Sequence, residues 1–409
     1  MISRLKGTDD ILPPDSRRWR TLLRAFDRLA EVYGYEVALL PVIEPTELFA
    51  RGVGEGTDVV EKQMYTFADR GGRSVTLRPE LTAGMVRAFL EAGAQGTLKL
   101  AAEGPMFRYE QPQKGRRRQF HQVDIEYLGE ASPDADIEVV ELCYRLLEEA
   151  GITGIRLKVN SIGDAADRAA YREILRDFLR SRQSDLSPDA RRRIDSNPLR
   201  VLDSKADTAA VADAPVPIDH LGDDARGHFG AVRSGLDAIG IPYEVDARLV
   251  RGLDYYNRTV FELFSSSFEA AQSALGGGGR YDPLAGLIGG GKEIPAVGAA
   301  MGCDRIVAAM PDPQGPVLDL FVAIADTDRR DDARRWIGRL RGAGVRVDWD
   351  PVPGRSLRGQ FKSADRSGAG AVAIVGEEWG DGEVTVKRLA SGEEQRVPIE
   401  GVGPWVTGH

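Results

Sequence analysis

The sequence predicts an α+β protein of more than one domain, and three observations carry that expectation. The chain has 409 residues, more than one ordinary hydrophobic core accommodates. A strand, a basic loop and a second strand occupy the stretch from Gly104 to Gly129. Beyond residue 316, short strands alternate with helical patterns, which is the signature of a compact α/β domain.

The elements follow in order. Lys6 to Pro13 is rich in turn formers. Trp19, Leu22, Leu23, Phe26, Leu29, Ala30 and Tyr33 recur at three- and four-residue spacing, so a helix is expected from about Asp15 to Tyr33, stopped by Gly34. Tyr35 to Leu40 reads as a strand ending at Pro41. Gly52 to Thr57 is a glycine-rich loop without the lysine and hydroxyl of a phosphate-binding loop. A hairpin is expected over Met64–Phe67 and Ser74–Leu77, leading into Arg78-Pro79-Glu80-Leu81-Thr82-Ala83. Glu80 there is either an acid in a first helical turn or an acid at the mouth of the sheet.

In the central hairpin, the first arm is expected over Met106–Glu110, with Arg108 on it, and the turn at Pro112–Gly115. The return arm alternates from Arg118 to Leu128. It places Val123, Ile125 and Tyr127 on one face and Gln122, Asp124 and Glu126 on the other. A solvated sheet face would explain such a polar row. The cations Arg108, Lys114, Arg116, Arg117 and Arg118 around the turn favour a second explanation: a site for a ligand carrying both phosphate and ammonium groups. Guanidinium forks match phosphate oxygens, and carboxylates on a rigid strand accept from ammonium or ring N–H groups.

Asp134 to Ala150 is an expected helix and Ile155 to Val159 a strand. From 164 to 240 the chain is charge-rich and helical, with turn signals at Ser187-Pro188 and Asn197-Pro198, and reads as an inserted helical subdomain. The sheet returns at Val245. Arg251-Gly252-Leu253-Asp254-Tyr255-Tyr256 sets a cation, a permissive glycine and paired tyrosines in one run. Gly276 to Gly279, followed by Arg280-Tyr281-Asp282, suits a floor where backbone must approach closely, with a flexible loop as the alternative. A small-residue strand from Pro295 runs into a helix carrying Arg305, and Pro311 to Pro316 is a linker.

Composition bounds the function. Hydrophobic residues make up 42% and charged residues 29%, the balance of a soluble globular protein. Met1-Ile2-Ser3-Arg4-Leu5-Lys6 does not lead into an apolar signal core, and no apolar run approaches membrane-spanning length, so no membrane association is expected. Cys143 and Cys303 sit in contexts that suggest reduced thiols and no zinc cluster, which implies a cytoplasmic location. The formal charge of −9 argues against nucleic-acid binding over the whole surface and leaves room for local basic patches at 116–118, 191–193 and 329–341.

Phe107-Arg108-Tyr109-Glu110, Lys114-Gly115-Arg116 and Arg118-Gln119-Phe120-His121-Gln122 resemble the second signature motif of class II aminoacyl-tRNA synthetases. The resemblance is greatest to the histidine-specific members. Arg248 to Glu262 and Leu275 to Asp282 resemble their two histidine-specific signatures, and 295–306 resembles the third class motif. The first helix and strand resemble the first class motif, and Gly354 to Asp365 resembles the anticodon-binding domain of the subgroup.

The resemblance implies a catalytic core with a mainly antiparallel sheet flanked by helices, in two parts at 1–163 and 241–311. It implies a helical insertion at 164–240 and an α/β anticodon-binding domain at 317–409. The implied substrates are L-histidine, ATP with Mg²⁺, and tRNA(His), in a homodimer with no metal site and no permanently bound cofactor. Arg251 is the implied catalytic residue; Glu80, Thr82, Gln122, Glu126, Tyr255, Tyr256 and Tyr281 bind histidine. Arg108, Arg116 and Arg305 bind ATP, and Gln111, Gln113 and Lys114 meet the tRNA. Gln111 stands where many bacterial members carry an arginine that reads the extra 5′ guanine. Two other function classes stay open. One is a histidine-sensing regulatory subunit of ATP phosphoribosyltransferase, opposed by the Arg251 signature and the C-terminal domain. The other is a stand-alone tRNA-binding scaffold, which leaves the charged constellation without a purpose.

Overall fold

A computed structural model describes residues 2–54, 57–113, 115–196, 198–202, 204, 206–250, 253, 255–266, 274–312 and 316–408. The chain divides into two compact units, Met1–Asp312 and Pro313–His409.

In the first unit the helix Asp15–Val32 buries Trp19, Leu22, Ala25, Phe26, Leu29 and Ala30, the stripe that the 3.6-residue period dictates. Among the described residues the large sheet has eight strands. Their order is Glu36–Val37, Leu98–Phe107, Gln119–Leu128, Ala296–Gly302, Ala274–Arg280, Asn257–Ser265, Ile155–Ser161 and Tyr243–Val245. Every pairing is antiparallel except the outermost on each side. The helices Asp15–Val32 and Pro133–Glu149 share one core with the face that carries Val123, Ile125, Val159, Phe261 and Val297. The opposite face is left for the polar row.

Three elements differ from the sequence expectations. Only Glu36–Val37 of the expected 35–40 strand is paired, because it has one neighbour, Leu98–Phe107, and Pro41 follows closely. The first hairpin arm is longer and earlier than expected, Leu98–Phe107. Its last regular pair is Phe107 with Gln119, so Arg108 lies just past the strand, where its N–H donates to the Arg118 carbonyl at 2.9 Å. The chain then turns away as Tyr109 N–H donates to the Gln63 carbonyl at 2.7 Å. A third strand, Ile43–Pro45, joins Ser74–Leu77 and Tyr65–Ala68; its three residues are too few to show a period.

The charge-rich stretch forms the helices Ala165–Ser181, Pro188–Arg193 and Leu199–Leu202 around a small core of their own that includes Tyr171, Leu175, Leu186 and Val201. The following helix, Asp223–Ala238, packs Phe229, Val232 and Leu236 into the core of the large sheet instead. The second unit is a five-stranded sheet in the order Val347–Trp349, Leu318–Ile324, Ala369–Val375, Glu383–Arg388 and Glu394–Pro398. The first three strands are parallel, joined through the helices Arg330–Gly342 and Leu357–Ser367.

One buried ionic cluster ties the glycine strand to the core. Arg280, fully buried, directs Nη2 at Asp136, which is also fully buried and lies 3.2 Å from His228 Nε2. Arg280 Nη1 donates to the Glu130 carbonyl at 2.9 Å. Burial pushes the Asp136 carboxyl upward, yet His228 and Arg280 together hold it below its ordinary value. Asp136→Ala removes the carboxylate that Arg280 shares with His228 and leaves Arg280 with Asp282 alone, so a loss of about 3 kcal/mol is expected. Urea denaturation reads this as a lower midpoint, and an unchanged midpoint would contradict it.

Candidate active site

The site is built on the hairpin strand Gln119–Leu128, because alternation aims Gln122, Asp124 and Glu126 away from the main core. The neighbouring strands face this row with small residues on nearly every side. Gly104 and Gly302 flank Gln122, Ala102 and Ala300 flank Asp124, and Leu100 and Gly298 flank Glu126. A Cβ at Gly298 would collide with the Glu126 carboxylate, and one at Gly278 with the Gly298 carbonyl. Gly298 is therefore bare to leave room for Glu126, while Gly276 and Gly278 of the glycine run sit against the backbone of the strand that carries Gly298.

A cavity of about 440 Å³ lies over this floor. Its acidic end holds Glu80, Thr82, Gln122, Tyr255, Tyr256 and Tyr281. Glu80 precedes the helix Thr82–Glu91: Oε1 accepts from Ala83 N–H at 3.3 Å and Oε2 from the Tyr255 hydroxyl at 3.0 Å. This combines both sequence readings of Glu80, a helix-start acid that also faces the cavity. Glu126 is fully buried beneath the wall, and Tyr281 donates its hydroxyl to Glu126 Oε2. Burial raises both acids; Arg108 partly offsets this for Glu80, and Thr82 and Tyr281 do so for Glu126, which still reaches about 8. Tyr255 and Tyr256 pack with ring centroids 4.7 Å apart.

The basic end holds Arg108, Arg116 and Arg305. Arg108 Nε donates to the Pro79 carbonyl at 2.9 Å, and its guanidinium lies 5.2 Å from the centre of the Phe120 ring. Arg305 donates to the Gly115 carbonyl at 2.9 Å and the Ala274 carbonyl at 2.7 Å. Burial, and then the neighbouring Arg116, lower its pKa from the ordinary value. Three guanidinium groups held beside one another in a cleft form a receptor for a polyanion.

Most of the expected residues therefore meet in one place. Gln111 and Gln113 are exposed on the hairpin turn and do not line the cavity. Lys114 and Arg251 lie outside the described residues. The sequence reading missed Asp304 and Arg117 as a pair. Arg117 Nη1 lies 2.5 Å from Asp304 Oδ1, and Asp304 Oδ2 accepts from His121 N–H at 2.8 Å. These contacts clamp the hairpin to the helix that carries Arg305. The partners are nearly two hundred positions apart, and no local pattern announces them.

The family model for "Histidyl-tRNA synthetase" matches residues 7–306. The chain belongs to the histidyl-tRNA synthetase family. The "Anticodon binding domain" model matches residues 319–409. The chain is 47% identical to a histidine–tRNA ligase of Geobacillus kaustophilus, over 96% of this chain and 95% of that protein. It is 45% identical to one from Synechococcus sp., over 96% and 92%. The crystal structure of apo histidyl-tRNA synthetase of S. aureus matches with a TM-score of 0.79 at 33% identity, covering 99% of this chain and all of the other. The α+β fold, with catalytic and anticodon-binding domains, is thus that of the family.

The buried acid allows a direct check. With its pKa near 8, Glu126 is mostly neutral at neutral pH in the folded protein. A carboxyl raised on folding binds more protons folded than unfolded, so its contribution to stability falls as pH climbs from about 4.5 toward 8. Carbon-13 NMR of labelled glutamate, assigned with Glu126→Gln, is expected to show this carboxyl titrating near pH 8. A midpoint in the ordinary range of about 4 would contradict the geometry.

Proposed function

We propose that the cavity performs both half-reactions of an ATP-dependent histidine–tRNA ligase. The carrying observation is one cleft with Glu80 and the buried hairpin acid Glu126 at one end, and Arg108 and Arg116 of the hairpin with Arg305 of the neighbouring helix at the other. In the first step the histidine carboxylate attacks the α-phosphorus of ATP, forming histidyl-adenylate and releasing pyrophosphate. In the second, a hydroxyl of the terminal tRNA ribose attacks the adenylate carbonyl, giving the ester and AMP.

Glu80, Thr82 and Gln122 hold the α-ammonium group, while Glu126, backed by Tyr281, and Tyr256 read the imidazole, with Tyr255 bracing Glu80. Arg108, Arg116 and Arg305 hold the ATP phosphates. Arg251, assigned from its signature, offsets the negative charge that develops where carboxylate meets α-phosphate. The rest is positioning of two reactants in a shared cleft. Mg²⁺ arrives with ATP and supplies further phosphate neutralisation. Glu110 and Glu262 on the cavity wall are the carboxylates that would reach it, a sparse donor set that suits an ion held mainly by phosphates. A pocket that hydrogen-bonds the imidazole should reject isosteres lacking those groups by roughly 10⁴.

Gln111 and Gln113 on the hairpin turn, with Lys114 assigned from its motif, meet the acceptor end of tRNA(His), and 317–409 reads the anticodon. That domain, and the identity to proteins named as ligases, favour this reading over a histidine-sensing subunit. Val37, Leu39, Ile43 and Phe67, on and near the short first strands, are exposed apolar side chains, which suits a second copy of the chain. Cys143 and Cys303 are free and buried, in keeping with a cytoplasmic enzyme. No helix among the described residues is long and apolar enough to cross a membrane.

The test is charging of tRNA(His) transcript by the purified protein with each amino acid in turn, alongside sedimentation for the dimer. Charging with histidine alone is expected, and Arg305→Ala should lower the rate by roughly 10²-fold or more. Binding of histidine without any charging would favour the sensor.

A further inference from the structure

Asp124 is the member of the polar row to which no role has been given. It is fully buried, and neither carboxyl oxygen has a hydrogen-bond partner among the described residues. Gln122 Oε1 and Glu126 Oε1, two positions away on either side, are likewise unpartnered. Buried acceptors of this kind are costly unless something arrives to satisfy them. The same strand face therefore presents four open acceptor atoms.

The surroundings leave Asp124 room without satisfying it. Ala102 and Ala300 are its cross-strand neighbours, and Ala300 lines the cavity. Leu81, Met85 and Met106 pack with Ala102. Arg78 and Arg108 are near enough to favour its charged form, yet their hydrogen bonds go elsewhere. Arg78 donates to the carbonyls of Leu40, Pro41 and Pro105, and Arg108 to that of Pro79. A structural ion pair is thus not what holds this acid.

Spacing supplies the rest. Alternate residues on a strand are about 6.5 Å apart. A histidine whose ammonium is at Gln122 and Glu80 and whose ring is at Glu126 spans the position of Asp124. We propose that Asp124 is a further histidine-binding residue, a carboxyl group beneath the amino-acid site that becomes a charge partner of the substrate's ammonium group. This rests on the ligase reading and adds an acid to its amino-acid site.

Burial first, and then the neighbouring carboxyl groups of Glu126 and Glu80, pushes the Asp124 carboxyl well up, while Arg108 and Arg78 pull less strongly down. The thiols of Cys143 and Cys303, on the helices packed behind the sheet, are also held up by burial and remain protonated. Burial thus favours the protonated form of Asp124 before the amino acid binds. When the ammonium cation enters, the carboxyl gives its proton to solvent and the carboxylate remains opposite the cation. Histidine binding is then coupled to proton release.

The experiment is calorimetric titration of L-histidine into the full-length protein at pH 7 in phosphate and in Tris, whose different ionisation enthalpies report the protons exchanged. Histidine-dependent pyrophosphate exchange gives the matching KM values. Wild type is expected to release more protons than Asp124→Asn. The variant should bind histidine roughly 10- to 100-fold more weakly, the loss expected for a charge-assisted hydrogen bond. Its KM for ATP should stay within about twofold, because the arginine end is untouched. A purely structural role would not move the proton count. Asp124→Ala, with alanine already on both neighbouring strands, serves the same comparison if the amide variant fails to fold. Wild type that activates histidine while the variant matches it in affinity and proton release overturns this inference alone. Wild type that neither binds nor activates histidine overturns the ligase reading and this inference together.

Discussion

Burying Asp124 and Glu126 in the middle of a sheet, with Gln122 half-buried beside them, is the constraint around which the catalytic unit is arranged. Acids out of water are expensive, and a chain built only for stability would place apolar residues there. Here the cost is met locally and incompletely. Tyr281 donates to Glu126 and Tyr255 to Glu80, while the remaining acceptors face the cavity floor or lie just beneath it. Gly298 must be bare to admit Glu126, and Gly278 is bare because the backbone of that same strand approaches it closely. The small residues at 102, 104, 300 and 302 continue the clearance along the row.

A strand of glycines holds its shape poorly by itself. Its far end is secured by Arg280, whose ionic contacts with Asp136 and Asp282 and whose bonds to two carbonyls fix the residue next to Tyr281. The arginine end is secured differently. Asp304 joins the hairpin through Arg117 and the His121 amide, so Arg305 and the hairpin arginines keep one geometry although they come from distant parts of the chain. The site thus pairs an uncomfortable floor with stiff supports, the combination that preorganised catalysis requires.

Much of this was legible in the sequence where the signal is local. The alternation of Val123, Ile125 and Tyr127 with Gln122, Asp124 and Glu126 specified both faces of the hairpin, and the stripe from Trp19 to Ala30 specified the first helix. The ordered motifs identified which acids and arginines converge. What was not legible depends on long-range pairing. The short strand Ile43–Pro45 exists because Ser74–Leu77 lies beside it, and Arg108 leaves the sheet because Gln63 draws the next residue away. Clamps such as Arg117 with Asp304, and Arg280 with Asp136, join residues 187 and 144 positions apart. The isolation of Asp124 is a property of what fails to reach it, which only three dimensions display.

The central claim is that one cleft seats histidine on its acids and ATP on its arginines, so that the two react. Histidine-dependent exchange of labelled pyrophosphate into ATP, with the purified protein and no tRNA, measures that step alone. The account predicts exchange with histidine and with no other amino acid, lost in Arg251→Ala and strongly reduced in Glu80→Gln. Tight histidine binding with no exchange in the wild type would contradict it.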